Sequence, residues 1–305
     1  MAIHPPWELA LDTVRERPVR RARLLLVVGH ARGRSTVVLD ADSGEFVGIP
    51  GAPAGAATET LSLSPDGTQV VFRTKARFRS TRKLVVHTLA TGAQRSFDAQ
   101  ADGTHESAAL SPDGYSLATI GDLGDDTFVD VTDLRTGTRR RLWSGAGMAS
   151  MDGALGWSFD GRLLAGSYTT LDGDGASIVL DARDGRVVRR YEAMSILPGP
   201  NGAWLGEHEL VLTPDEFEEE IAPILVADVA EGDCRRHEGR RAWHGLWAAI
   251  DGRLVHVEGG EPAVDGVRMY TTDLDGTDPR PFLTIAPGAG FTLFDHAPRS
   301  GSWSY

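Results

Sequence analysis

Residues 61–72 read LSLSPDGTQVVF and residues 108–120 read AALSPDGYSLATI, so a short apolar run, a Ser-Pro-Asp-Gly turn and a second apolar run recur along the chain. Looser copies follow: Asp160-Gly161 in LGWSFDGRLLAGS, Asn201-Gly202 in LPGPNGAWL and Asp251-Gly252 in LWAAIDGRLVHV. Successive Asx-Gly pairs are 47, 47, 41 and 50 residues apart. Asx-Gly supplies the positive φ that a tight two-residue turn needs, and the flanks are strand-like, so each copy predicts a hairpin.

A second series of turns lies between the first. Gly44 in VVLDADSGEF, Gly92 in LVVHTLATGAQ, Gly137 in VDVTDLRTGTR, Gly185 in IVLDARDGRVV, Gly232 in LVADVAEGDC and Gly276 in YTTDLDGTD each follow a Val/Leu-rich strand, at intervals of 48, 45, 48, 47 and 44. Four of the six place Asp four residues before the Gly, at Asp40, Asp133, Asp181 and Asp228. Two interleaved series with one period define a unit of four short strands, A to D, which is a propeller blade. A lone blade cannot bury both faces of its sheet, whereas stacked neighbours share a continuous core and a closed ring leaves no end. Helical readings fail, because Gly or Pro interrupts nearly every i, i+3, i+4, i+7 apolar pattern within two turns.

The expected fold is all-β: a six-bladed propeller of four antiparallel strands per blade over residues 21–305, after an N-terminal extension at 1–20. Blade one has no first strand of its own before ARLLLVVGHARG. The segment GFTLFDHAP, residues 290–298, is spaced as a strand A and is predicted to close the ring beside Leu24–Gly29. The competing strand is WELALDTV, residues 7–14, which would leave the C-terminal tail outside.

The two Ser-Pro-Asp-Gly turns, Ser64 to Gly67 and Ser111 to Gly114, followed by β-strands and an Asp-x-x-x-Gly hairpin, resemble the TolB-like, or WD40-like, six-bladed β-propellers. The resemblance spans roughly residues 21–305, and the Trp-Asp and Gly-His signatures of true WD40 repeats are missing. It implies the fold and, since TolB-like propellers commonly act as interaction platforms, a binding role.

Composition narrows the function classes. The chain has 305 residues, 41% hydrophobic and 24% charged, with 36 Gly and 16 Pro, which excludes disorder and collagen-like repeats. Its 31 Lys and Arg against 43 Asp and Glu give a net charge of −12, which argues against a broad nucleic-acid surface. The single cysteine, Cys234, allows no internal disulfide and fits a reducing, cytoplasmic compartment. No apolar run approaches the roughly 18 residues of a membrane helix. The stretch RRARLLLVVGHARG, residues 20–33, resembles a twin-arginine signal, but Leu24 to Val28 falls short of a signal core, so it reads as a basic turn entering a buried strand.

Counting back from each first-series turn to the start of strand A gives Glu59, His105, Glu106, Asp152, Trp243 and His244, expected to converge on the mouth of the central channel. Carboxylates and imidazoles suit acid–base work. Glu106, His105 and His244 are therefore the candidate catalytic residues, and Glu59, Asp152 and Trp243 candidate ligand contacts; a ring of solvated polar groups is the alternative. The B–C loops on the same face divide by sign. Blade two carries KARFRSTRK with Arg77 and Arg79, blade three GDLGDD with Asp122 and Asp125, blade four LDGDG and blade five PDEFEEE. A dipolar face of this kind steers a charged partner.

No cofactor or metal is expected, calcium being the one weighed, because GDLGDD and LDGDGAS space carboxylates as oxygen-ligand loops do without matching an EF-hand. Gly-x-Ser-x-Gly, Gly-x-Gly-x-x-Gly, the P-loop and His-Glu-x-x-His are absent. Two readings stand: an interaction protein for a protein, a peptide or a small charged ligand, neither nucleic acid nor membrane, and a small propeller enzyme such as a lyase, hydrolase or cyclase.

Overall fold

The computed structural model describes residues 6–30, 33–52, 58–74, 83–98, 104–149, 155–197, 201, 203–214, 224–237, 246–259, 266–287 and 289–296. Strands β1 (Trp7–Leu9) and β2 (Arg15–Glu16) precede blade one, which holds β3 (Ala22–His30), β4 (Gly33–Asp40) and β5 (Phe46–Gly48). Blade two holds β6 (Thr58–Leu63), β7 (Gln69–Thr74), β8 (Lys83–Thr88) and β9 (Gln94–Asp98). Blade three holds β10 (Thr104–Leu110), β11 (Ser116–Leu123), β12 (Asp126–Asp133) and β13 (Arg139–Ala146). Blade four holds β14 (Met148–Ala149), β15 (Leu155–Trp157), β16 (Leu163–Thr169), β17 (Gly175–Asp181) and β18 (Val187–Glu192). Blade five holds β19 (Met194–Ile196), β20 (Glu209–Pro214), β21 (Ile224–Asp228) and β22 (Cys234–His237). Blade six holds β23 (Leu246–Ile250), β24 (Arg253–Gly259), β25 (Val267–Thr272) and β26 (Arg280–Ile285), and β27 (Ala289–His296) follows.

These strands form six sheets, the blades of a six-bladed β-propeller. No helix among the described residues is long and apolar enough to cross a membrane. Blades six, one and two make one compact unit, and blades three, four and five make a second.

Within the blades, the middle strands are buried on both faces, as in β17 and β12, while outer strands such as β9 are exposed along most of their length. Sheets covered on both sides read as continuous apolar runs, which is why Val and Leu runs mark the middle strands.

In the first unit, β27 pairs antiparallel with β3 from Ala289 opposite His30 to His296 opposite Leu24, the closure expected from its spacing. The competing N-terminal segment has another place. β1 adds parallel to β26, with Trp7 opposite Leu283 and Leu9 opposite Ile285, and β2 adds parallel to β5. Blades six and one thereby gain a fifth, outer strand. Trp7 and Leu9 are buried with Leu24, Leu26, Val28 and Phe282, and the Trp7 and Phe282 rings meet edge to face at 5.2 Å. Arg17 fastens the segment to blade one through Asp40 Oδ2 at 2.8 Å and Ser43 Oγ at 2.7 Å. Burial pushes the Asp40 carboxyl up, but the Asp42 N–H, the Ser43 hydroxyl and Arg17 together hold it below the ordinary carboxylate range.

The Ser-Pro-Asp-Gly turns are not the two-residue hairpins that the Asp-Gly pair predicts. Ser64 Oγ accepts from Gln69 N at 2.9 Å and donates to Asp66 Oδ1 at 2.7 Å, while Ser64 N donates to Gln69 O at 2.9 Å. The hydroxyl closes the ladder, so residues 65–68 form the loop and only Gly67 takes a positive φ, +73°. Ser111 and Ser158 do the same with Asp113 and Asp160. In this series the two-residue form occurs at Asp251-Gly252, where both residues have positive φ and Ile250 pairs with Arg253. The second series is capped by its Asp: Asp133 Oδ1 accepts from Arg135 N at 2.7 Å and Asp228 Oδ1 from Ala230 N at 2.9 Å, an Asx turn in each case.

Neighbouring blades are also tied through backbone. Ala22 N donates to Gly67 O at 2.7 Å, joining blade one to blade two, and a β-carbon on Gly67 would overlap the Ala22 carbonyl oxygen. In the second unit, Trp157 Nε1 donates to Ala109 O and Trp204 Nε1 to Gly156 O, each at 3.0 Å, so one indole bond steps from blade to blade. Arg140 reaches Ala182 O and Arg189 reaches Ala230 O on the outer side of the same two seams.

Between blades one and two, His87 is fully buried beside Phe72, with Nδ1 at 3.3 Å from Gln94 Nε2 and no partner at Nε2. Burial lowers its proton affinity, so the folded chain holds it neutral where an unfolded one would take a proton.

Two outcomes follow. Gly67→Ala should cost about 3 kcal/mol in denaturant unfolding, against about 1 kcal/mol for Gly92→Ala, which has a similar φ but open space at the β-carbon; equal losses would remove the inter-blade contact as the cause. Stability should fall as pH drops below about 6.5, where the unfolded imidazole gains its proton and the folded one does not, and His87→Gln should flatten that slope.

Candidate functional site

The expected channel-mouth group falls largely outside the described residues. Backbone pairing places Glu59 in β6 opposite Arg73 and His105 in β10 opposite Gly121, near the starts of their A strands. The side chains of Glu59, His105 and Glu106 lie outside the described residues, and Asp152, Trp243, His244, Arg77 and Arg79 lie outside them altogether. Asp122 and Asp125 are described, and the structure builds a surface around them.

In blade three, Leu123 pairs with Asp126, leaving Gly124 and Asp125 as a two-residue B–C turn. In blade four, Thr169 pairs with Gly175, and Thr170 N donates to Asp174 O at 2.6 Å across the corresponding turn. The chain itself brings the two turns together. After β13 it reaches Gly147, whose N–H donates to Asp125 O at 2.9 Å and whose carbonyl accepts from Thr127 Oγ1 at 2.8 Å. It then enters blade four as β14, with Met148 opposite Thr169 and Ala149 opposite Tyr168.

Gly147 fits between them because it has no side chain. Its φ is +132°, and a β-carbon there would lie 2.6 Å from Thr169 O and 2.8 Å from Tyr168 Cδ2. Tyr168, 2% exposed, and Trp143 lie below with ring centroids 5.7 Å apart. Burial pushes the Tyr168 phenol above its ordinary value, so it stays a neutral part of this floor.

The outward side of the paired turns combines two features seldom left together on a surface. Leu123 is 40% exposed and Leu171 is 64% exposed. Around them stand Asp122, Asp125, Asp126, Asp172 and Asp174, with no Lys or Arg in 121–126 or 170–175. Among the described residues no group of three or more His, Cys, Asp or Glu is placed to hold a metal ion. The surface combines negative charge with aliphatic area. Charge patterning finds Asp122 and Asp125. Leu123 and Leu171 escape it, although a large apolar residue inside an acidic turn is the signal that would have found them.

No protein-family model matches the chain, and no curated protein matches it. Solved structures do. TolB from Acinetobacter baumannii is similar with a TM-score of 0.63 at 12% identity, over 90% of this chain and 66% of that one. An oligogalacturonate lyase in complex with manganese gives 0.54 at 12% identity, over 87% and 75%. A puromycin-hydrolysing peptidase of Mycobacterium tuberculosis gives 0.54 at 21% identity, over 85% of this chain and 45% of that one. At these identities the likeness is one of fold, and the chain spans less than two thirds of TolB and under half of the peptidase.

Gly147→Ala should lower stability by about 2 kcal/mol and speed amide exchange at Gly147 and Thr170 while leaving the middle of β17 protected. Unchanged exchange at both turns would show that Gly147 does not hold them together.

Proposed function

We propose that this chain is an interaction protein whose docking surface is the pair of B–C turns on blades three and four, and that its partner is a basic protein segment carrying an aliphatic or aromatic side chain. The observation that carries the reading is Leu171, 64% exposed beside Asp172 and Asp174 and next to the Leu123 turn with its own carboxylates. Loop ends on a rigid scaffold are where binding groups concentrate. Exposed leucine gains when covered, by about 25 cal/mol for each Å² of apolar area removed from water. A surface rich in carboxylates raises the encounter rate with a cation and disfavours anionic competitors. A lyase and a peptidase share the fold, and one propeller framework hosts many functions, so fold likeness favours neither binding nor catalysis.

Fluorescence anisotropy with two labelled decapeptide sets tests this, one Lys/Arg-rich around a single Leu or Phe, the other its Glu/Asp charge reversal. The basic set should bind, more weakly as salt rises. Leu171→Ser and Asp172→Asn should each weaken binding about fivefold to tenfold while leaving unfolding within about 0.5 kcal/mol. Equal binding of both sets, or variants that bind like the wild type, would contradict the assignment.

A further inference from the structure

The chain lays its own N-terminal segment along the outer edges of two blades. β1 adds parallel to β26 at the rim of blade six and β2 adds parallel to β5 at the rim of blade one, so each of these sheets ends in an extra strand. Among the described residues blades two to five receive no such strand, and β9, β13, β18 and β22 are the last strands of their sheets. A last strand carries a row of backbone N–H and C=O groups that no neighbour in its sheet pairs, and that row is a template for one more strand.

β18, with the sequence VVRRYE, offers the most regular template. Residues 155–197 are described without a break, and the backbone of 189–192 bonds to β17 alone among the described residues. A register shift leaves Val188 as a bulge. Beyond it four residues pair regularly, from Arg189 opposite Val179 to Glu192 opposite Ala176. Val187 is 38% exposed, and Arg190 and Glu192 are exposed as well.

The charge along this edge is positive. Residues 183–192, RDGRVVRRYE, hold four arginines against Asp184 and Glu192. Arg189 donates to backbone carbonyls, Val188 O at 3.2 Å and Ala230 O at 3.3 Å, rather than to a carboxylate. Arg190 lies 3.8 Å from Glu192, with both side chains open to solvent, so the pair is weak and easily exchanged. The edge of blade three differs, because Arg139 and Arg141 both turn back to Asp130 of their own sheet.

We infer that the outer edge of β18 receives an extended acidic segment of a partner protein as an added strand. Backbone bonds along the edge supply affinity, and carboxylates on the incoming strand supply selection. The same arginines repel the like-charged edge of a second copy, so the charge that guards against self-addition also admits an acidic strand. This rim site is separate from the acidic B–C turns and takes a partner of opposite charge.

The test uses the full chain and a labelled decapeptide that alternates Glu with Val and Thr. It is compared with its lysine reversal and with two copies N-methylated at the odd or the even residues, which keep the charge and lose alternate backbone donors. The acidic peptide should bind, the lysine reversal should not, and at least one methylated copy should bind about tenfold more weakly. Saturating peptide should slow amide exchange in β18 and leave β9 and β13 unchanged. Arg190→Glu should weaken binding about tenfold, and the exchange pattern of the wild type decides the matter even if that variant does not fold. No binding, equal binding of the lysine reversal, methylated copies that both match the parent, or binding that leaves β18 unprotected would overturn the site.

Discussion

Strand β3 is apolar on both faces, with Leu24, Leu25, Leu26 and Val28 fully buried, and such a strand is stable only when covered on both sides and paired on both edges. β4 supplies one edge from the adjoining sequence. The other edge comes from β27, close to the opposite end of the chain. The faces are covered in turn: Leu24, Leu26 and Val28 pack with blade six and Trp7, while Leu25 packs with Leu63, Phe72 and Val85 of blade two. Leaving β27 unpaired would expose an apolar strand edge in the middle of the first unit. The N-terminal strands reinforce the same place from outside, because β1 extends blade six and β2 extends blade one.

Within each unit, contacts from blade to blade end on backbone groups, as where Ala22 N donates to Gly67 O between blades one and two. Gly67 meets Ala22 because neither brings a side chain that keeps the strands apart. The Trp157 and Trp204 indoles each donate to a carbonyl of the preceding blade, satisfying a buried N–H while filling the seam. A loop end fixed in this way can change its side chains without disturbing the core, which is how an exposed leucine and several carboxylates come to share the tips of blades three and four.

Much of this architecture was legible because its signals are local. Ser64, Asp66 and Gly67 act within one turn, and Asp133 caps the turn that follows it, so their spacing survives in the sequence as a period. The hydroxyl's part in closing the ladder was not legible, since Asp-Gly alone points to a two-residue turn and the recurrence of Ser two residues before the Asp does not say which backbone groups its side chain meets. β1 and β2 were not legible either: they are short, parallel and paired with strands far away in the chain, and nothing in WELALDTV distinguishes an outer parallel strand from an inner antiparallel one. Of the candidate site, the acidic turns stood out by charge. Their adjacency did not, because it depends on the path through Gly147, a contact made only once blades three and four are packed.

Amide exchange along β27 tests the closure most directly. If β27 is an integral edge of blade one, its amides should exchange only through global unfolding, with the same free energy as those of β3 and as denaturant titration. Exchange of β27 many times faster, with β3 still protected, would show that the first blade is held together without the strand from the far end of the chain.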